Sequence, residues 1–198
     1  MKILITGFEP FGDNKRNPTQ LLVEAFNMLQ VTLPENCQFE ARTLPVTFGQ
    51  AFEELERSIE SFNPDTVLAL GLAAGRSSIE LERIAINCMD AEIADNDGVR
   101  PVDEEITPGG PAGYFTTLPL GQLVADLRRR GIAVRVSNSA GTYVCNYLFY
   151  RLMELARRRN LRCGFVHVPE ESVLPLPELI RAVEELIRSL DSQPSPGT

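Results

Sequence analysis

The sequence predicts an α/β fold, a three-layer α/β/α sandwich around a central, largely parallel sheet. Short apolar runs such as Lys2 to Phe8, Thr66 to Leu72 and Arg162 to Val168 alternate along the chain with longer segments of helical period. Those runs stay apolar without strict alternation, the pattern of strands covered on both faces. The chain has 198 residues, 43% of them hydrophobic, which suits one substantial core and is short for two full domains. We therefore expect a single α/β domain over 1–190 and a flexible tail over 191–198, where Ser-Gln-Pro-Ser-Pro-Gly-Thr reads as a frayed terminus.

Lys2 to Phe8 reads as a first buried strand, followed by a turn-rich stretch from Glu9 to Arg16. Asn17-Pro18-Thr19 offers a cap with proline at the first helical position, and a helix to about Leu29 follows. Gln38 to Leu44 is a second strand, after which Thr47 caps a helix that runs to about Ser61 and stops at Asn63-Pro64. Thr66 to Leu72 suits a central strand leading into the loop Gly71-Leu-Ala-Ala-Gly75, and Ile79 to Asn87 reads as one further strand.

Asp90 to Gly113 is polar and turn-rich, an excursion on the surface with turns at Asn96-Asp97-Gly98 and Pro108-Gly-Gly-Pro111. Leu120 to Arg130 is a helix whose three final arginines complement the helix dipole before a C-terminal Gly131. A strand over Ala133 to Ser137, a helix over about Thr142 to Arg159, a strand over Arg162 to Val168 and a closing helix over Leu176 to Leu190 complete the pattern.

Composition removes several function classes. Lysine and arginine number 19 against 27 acidic residues, and the net charge of −8 opposes binding to nucleic acid or to an anionic membrane surface. The longest apolar stretch near the start is too short for a signal sequence or a membrane span, so a cytoplasmic protein is expected. Cys37, Cys88, Cys145 and Cys163 form no C-x-x-C pair and are expected as reduced thiols. With one histidine in the chain, neither a zinc site nor any other metal or cofactor is expected.

That histidine, His167, is the one imidazole available for proton transfer near neutral pH. It shares a strand face with Cys163 and Phe165, and Pro169 ends the ladder just beyond it. Cys145 follows Ser137-Asn-Ser-Ala-Gly-Thr-Tyr-Val144, between a strand and the next helix. Unpaired amides at a helix N-terminus lower a thiol pKa and can also receive an oxyanion. Cys145 also starts a stripe with Leu148, Phe149, Leu152, Leu155 and Ala156, so a core role and a nucleophilic role both fit it.

A cysteine–histidine pair needs a third group to hold the imidazole tautomer, and Glu80 and Glu82 are the nearest acids, on one strand face. A solvated polar face is the other reading of that pair. Gly7 to Gly12 has phosphate-loop spacing, but Asp13-Asn14 follows where lysine and a hydroxyl residue are needed. Asp95-Asn-Asp97-Gly98 resembles part of a calcium loop without completing it, and reads as a solvated loop.

Six segments in order, GFEPFG (Gly7 to Gly12), Asn17-Pro18, GLAAGR (Gly71 to Arg76), ERIAIN (Glu82 to Asn87), SNSAGTYVCN (Ser137 to Asn146) and GFVHVP (Gly164 to Pro169), resemble the pyroglutamyl peptidase I family. The resemblance implies a cytoplasmic cysteine peptidase acting on peptides with an N-terminal pyroglutamate and assembling as a homotetramer. Matched residue by residue, it implies Cys145 as nucleophile, His167 as base and Glu82 rather than Glu80 as the orienting carboxylate. Phe8, Phe11, Asn17, Leu72, Ile93, Tyr143 and Val144 match its substrate pocket, where a small neutral lactam asks for apolar walls and few charges.

Glu92-Ile93-Ala94 departs from the Arg-Ile-Pro of the pattern, and Leu72 stands where some relatives carry glutamine. Both departures bear on the residue preferred after pyroglutamate. Another cysteine amidohydrolase, a nucleoside phosphorylase-like enzyme and a non-catalytic lactam-binding module are the alternatives.

Overall fold

The fold follows from how period-2 strands divide their side chains. The computed structural model describes residues 1–12 and 15–193. Its strands are β1 (Lys2–Phe8), β2 (Gln38–Leu44), β3 (Thr66–Leu72), β4 (Ile79–Glu82), β5 (Ile84–Ile86), β6 (Gly113–Phe115), β7 (Val134–Ser137) and β8 (Arg162–Val168). The helices are α1 (Pro18–Asn27), α2 (Gln50–Phe62), α3 (Leu120–Arg129), α4 (Val144–Arg159) and α5 (Leu176–Asp191).

Six strands form the central sheet in the order β2-β1-β3-β8-β4-β7. Strands β2, β1, β3 and β8 run parallel, whereas β4 and β7 are parallel to each other and β4 lies antiparallel to β8. The sheet is thus mixed and mostly parallel, with helices on both faces. One face packs Leu4, Val67, Ala69 and Phe165 under α2 and α4, and the other packs Ile3, Leu68, Leu70 and Val166 under α1, α3 and α5.

Local chemistry explains most element ends. Asn17 Oδ1 accepts from the Thr19 N–H at 3.0 Å with Pro18 at the first helical position, as expected for the start of α1. Gly7 is required by close packing there, because a Cβ on it would sit 2.3 Å from the Thr19 carbonyl oxygen. Gly131, at φ +75°, follows α3 in the left-handed conformation that a C-terminal glycine adopts cheaply.

Several expectations are corrected. Thr47 does not cap α2: the cap is Gly49, without a side-chain bond, and the Thr47 hydroxyl is buried with no hydrogen-bond partner. The preceding loop is held from outside, where Asp95 Oδ2 accepts from the Phe48 N–H at 2.8 Å. The single strand read over Ile79 to Asn87 breaks at Arg83 into β4 and β5, and β5 leaves the main sheet to pair with the unforeseen β6. The stretch Asp90 to Gly113 is no loose excursion, since it buries Ala91, Asp95 and Ile106 and Met89 bridges to Glu104. Of the expected tail, Asp191 still belongs to α5, and residues 194–198 lie outside the described residues, as do Asp13 and Asn14.

Candidate active site

Cys145 is the second residue of α4. The bond from Tyr147 N–H to Tyr143 C=O, at 3.1 Å, closes the first turn, so the amides of Val144, Cys145 and Asn146 are the helix's free donors. Helix α4 lays the Cys145 sulfur against the sheet over Gly71. A Cβ there would meet the Phe165 ring at 2.7 Å and the sulfur at 3.0 Å, so only glycine lets helix and strand approach this closely. Gly71 stands opposite His167 in the ladder, and residues paired in register point to the same face. The sulfur thus lies over the ladder neighbour of His167, and the Phe165 ring packs 4.9 Å from the imidazole centroid.

Strand reversal brings the acids to the same place. Because β4 runs antiparallel to β8, Glu80 faces His167 and Glu82 stands one pleat further along the same face. His167 Nδ1 lies 2.7 Å from Glu82 Oε1, with both side chains buried. Glu80 is engaged elsewhere, ion-paired to Arg76 and Arg135, with Arg135 Nε donating to its Oε1 at 2.5 Å. Both acids are fully buried, which overturns the solvated-face reading of the pair.

The resting thiol differs from expectation. Burial first, and then the Glu82 charge, push the Cys145 pKa up to about 12, against smaller downward pulls from Arg76 and from its own backbone N–H. Placement at a helix N-terminus does not outweigh this desolvation, which favours the neutral thiol.

Beside Cys145 lies a small, narrow cavity, lined by Phe8, Phe11, Asn17, Val46, Leu72, Tyr143, Val144 and Cys145. Its walls are mainly apolar. Phe11 and Phe48 both pack on Tyr143, with ring centroids 6.0 and 5.6 Å away. Of the expected lining, Ile93 is not among these wall residues; it is 48% exposed, with its Cδ1 3.5 Å from where a Cβ on Gly12 would lie. Asn17 lines the cavity, but its amide is occupied by the α1 cap and by donation to the Glu9 carbonyl at 3.0 Å. Leu72 and Gly71 belong to β3 rather than to a loop, and the next amide, Ala73 N–H, is bonded to the Val168 carbonyl.

Sequence reasoning missed the residues that hold the wall in place. Asp95 accepts from the backbone amides of Phe48, Asp97 and Val99, and Asn96 Nδ2 donates to Glu9 Oε1 at 2.7 Å. The Tyr143 hydroxyl donates to the Ala94 carbonyl at 3.0 Å, fixing the ring. The segment read as a solvated loop is therefore a strap across three cavity loops. The tendency of Asp before Asp-Gly to bond its own following amides was the available signal. Asn146 pins the far side, bonded in both directions to Ile86 and also to Cys88.

Among the described residues no group of three or more His, Cys, Asp or Glu side chains is placed to hold a metal ion, and no helix is long and apolar enough to cross a membrane. The pyroglutamyl peptidase family matches residues 1–185 of the chain. A pyrrolidone-carboxylate peptidase of Pyrococcus furiosus is 44% identical over 171 residues, covering 85% of this chain and 81% of that protein. One of Bacillus licheniformis is 42% identical over 193 residues, covering 96% and 88%. The crystal structure of pyroglutamyl peptidase I from Bacillus amyloliquefaciens superposes with a TM-score of 0.89 at 34% identity, covering 97% of this chain and 95% of the other.

Proposed function

The chain belongs to the pyroglutamyl peptidase family of cysteine-type hydrolases, and from that premise we propose that it removes an N-terminal pyroglutamyl residue from peptides through Cys145, His167 and Glu82. The observation that carries the residue assignment is the 2.7 Å contact between His167 Nδ1 and Glu82 Oε1, on the face where the Cys145 sulfur closes an apolar cavity. A neutral lactam ring suits walls of Phe8, Phe11, Leu72, Tyr143 and Val144, which bring no charge to desolvate.

With the ring in the cavity, the scissile carbonyl carbon meets the Cys145 sulfur. Glu82 accepts the Nδ1 proton of His167 and so leaves Nε2 free to take the thiol proton. Since burial favours the neutral thiol, proton transfer to His167 accompanies attack. The oxyanion is received by free amides of the first α4 turn, foremost that of Cys145. Collapse of this intermediate breaks the amide bond, His167 gives its proton to the leaving amine, and a thioester forms on Cys145. Water, losing a proton to His167, then hydrolyses the thioester and releases pyroglutamate.

The test is product release from matched peptides with pyroglutamyl and free N-termini. Cleavage of the first alone, abolished by a thiol blocker, is expected. Absence of pyroglutamate release, or phosphate-dependent cleavage of a nucleoside instead, overturns the proposal.

A further inference from the structure

Behind the imidazole lies a line of charges that the mechanism above does not use. Arg76, from the loop between β3 and β4, places Nη1 3.4 Å from Glu82 Oε1, the same oxygen that meets His167. The guanidinium is held by three further partners: Ser137 Oγ at 3.2 Å, the Ser139 carbonyl at 3.3 Å and the Glu80 carboxylate. Glu82 Oε2 is buried with no hydrogen-bond partner, so the charge of this carboxylate is compensated through Oε1 alone. Beyond Glu80 stands Arg135 of β7, on the other side of that carboxylate.

The line therefore alternates in sign: Arg135, Glu80, Arg76, Glu82, His167. Each element around the imidazole contributes, with Glu80 and Glu82 from β4, Arg76 from the β3–β4 loop and Arg135 from β7. Across the cavity, Asp95 acts on Tyr143, and Glu9 bonds the Val46 amide and Asn96. Two carboxylates on one strand face, both fully buried, cannot both stay ionised without a cation between them. Arg76 occupies that place.

We propose that Arg76 is a positioning residue for the reaction, holding Glu82 ionised and aimed at His167, while Arg135 occupies Glu80 so that it does not draw Arg76 away. This rests on the triad reading above. Without Arg76 the two acids share a proton, Glu82 loses its hold on Nδ1, and the pair of Cys145 and His167 reaches its active protonation state only at higher pH.

The experiment compares wild type, Arg76→Gln, Arg76→Lys and the double variant Arg76→Gln/Glu80→Gln. Two profiles are taken from pH 5 to 10: kcat/KM on a pyroglutamyl anilide, and the rate of Cys145 alkylation by iodoacetamide, followed by peptide mass spectrometry. For Arg76→Gln we expect kcat/KM to fall about tenfold to a hundredfold at neutral pH, with the acid limb of both profiles moved to higher pH. Removing the competing carboxylate in the double variant restores the limb and at least part of the rate, and Arg76→Lys falls between.

The proposal is overturned if Arg76→Gln leaves both profiles in place, or if its loss is not relieved by Glu80→Gln in variants that melt like wild type. A wild type that releases no pyroglutamate overturns the proposed function instead, and the alkylation profiles then still decide whether Arg76 sets the reactivity of the pair.

Discussion

The two faces of β4 lead separate lives. Ile79 and Leu81 enter the core beneath α1, α3 and α5, while Glu80 and Glu82, one residue along in each case, point to the α4 face and meet Arg76, Arg135 and His167. β8 repeats the division, with Val166 and Val168 on the first side and Phe165 and His167 on the second. Two adjacent strands thus use the two-residue period to separate a face that holds the fold from one that holds charge and chemistry. Buried polar groups are costly unless paired, so the second face is stable only because its charges alternate and its imidazole has an acceptor.

If the division is real, substitutions on the two faces have opposite signatures. The largest effect belongs to the α4 face. Cys145→Ser and His167→Ala should each lower kcat/KM about 10³-fold or more; the melting temperature should move little for Cys145→Ser and fall for His167→Ala, which leaves the buried Glu82 without its imidazole, as checked by anilide hydrolysis beside thermal denaturation. Near-normal turnover of either variant breaks the comparison at its centre.

On the other face, Leu81→Ala should cost about 2–5 kcal/mol of stability in urea titration, with the kcat of the folded fraction retained. A selective loss of kcat with stability intact would show that the faces are coupled rather than separate. Gly71→Ala sharpens the boundary, because its added Cβ would press on both the Phe165 ring and the Cys145 sulfur. It should cost about 1–3 kcal/mol of stability and up to about a hundredfold in rate through displacement of the sulfur.

The smallest effect is a pH dependence. Burial raises the pKa of Cys145, Tyr143 and Tyr150 to about 12 each, and raises that of Cys163 as well. The folded chain keeps protons that the unfolded chain releases at ordinary thiol and phenol values of about 8.5–10. Stability from these groups is therefore complete below about pH 8.5 and is lost as pH rises toward 12, where the native groups ionise. Melting temperatures should fall over that window, and Cys145→Ala should flatten the slope.

Much of this was legible in the sequence. The strand of His167 showed in its apolar run, its end in Pro169, and the start of α1 in Asn17-Pro18. Period 2 placed Glu80 and Glu82 on one face, but the choice between them depends on strand direction. β4 spans four residues and its reversal is set by β8, 80 and more positions away along the chain, which no local pattern encodes.

Thr47 looked like a cap because hydroxyls suit that position, yet a carboxylate nearly fifty residues on took over the loop. Arg76 ends the GLAAGR segment but gave no signal of a role, since an arginine after a glycine-containing loop is ordinarily a solvated residue. Its meaning comes from the three segments that converge on it.

The central claim is that chemistry on the α4 face runs through one sulfur. Iodoacetamide titration, with modified cysteines located by mass spectrometry and activity measured on the same samples, tests it directly. Activity should fall in proportion to alkylation of Cys145, independently of Cys37, Cys88 and Cys163, and pyroglutamate should slow both losses together. Full activity with Cys145 completely alkylated would contradict the account.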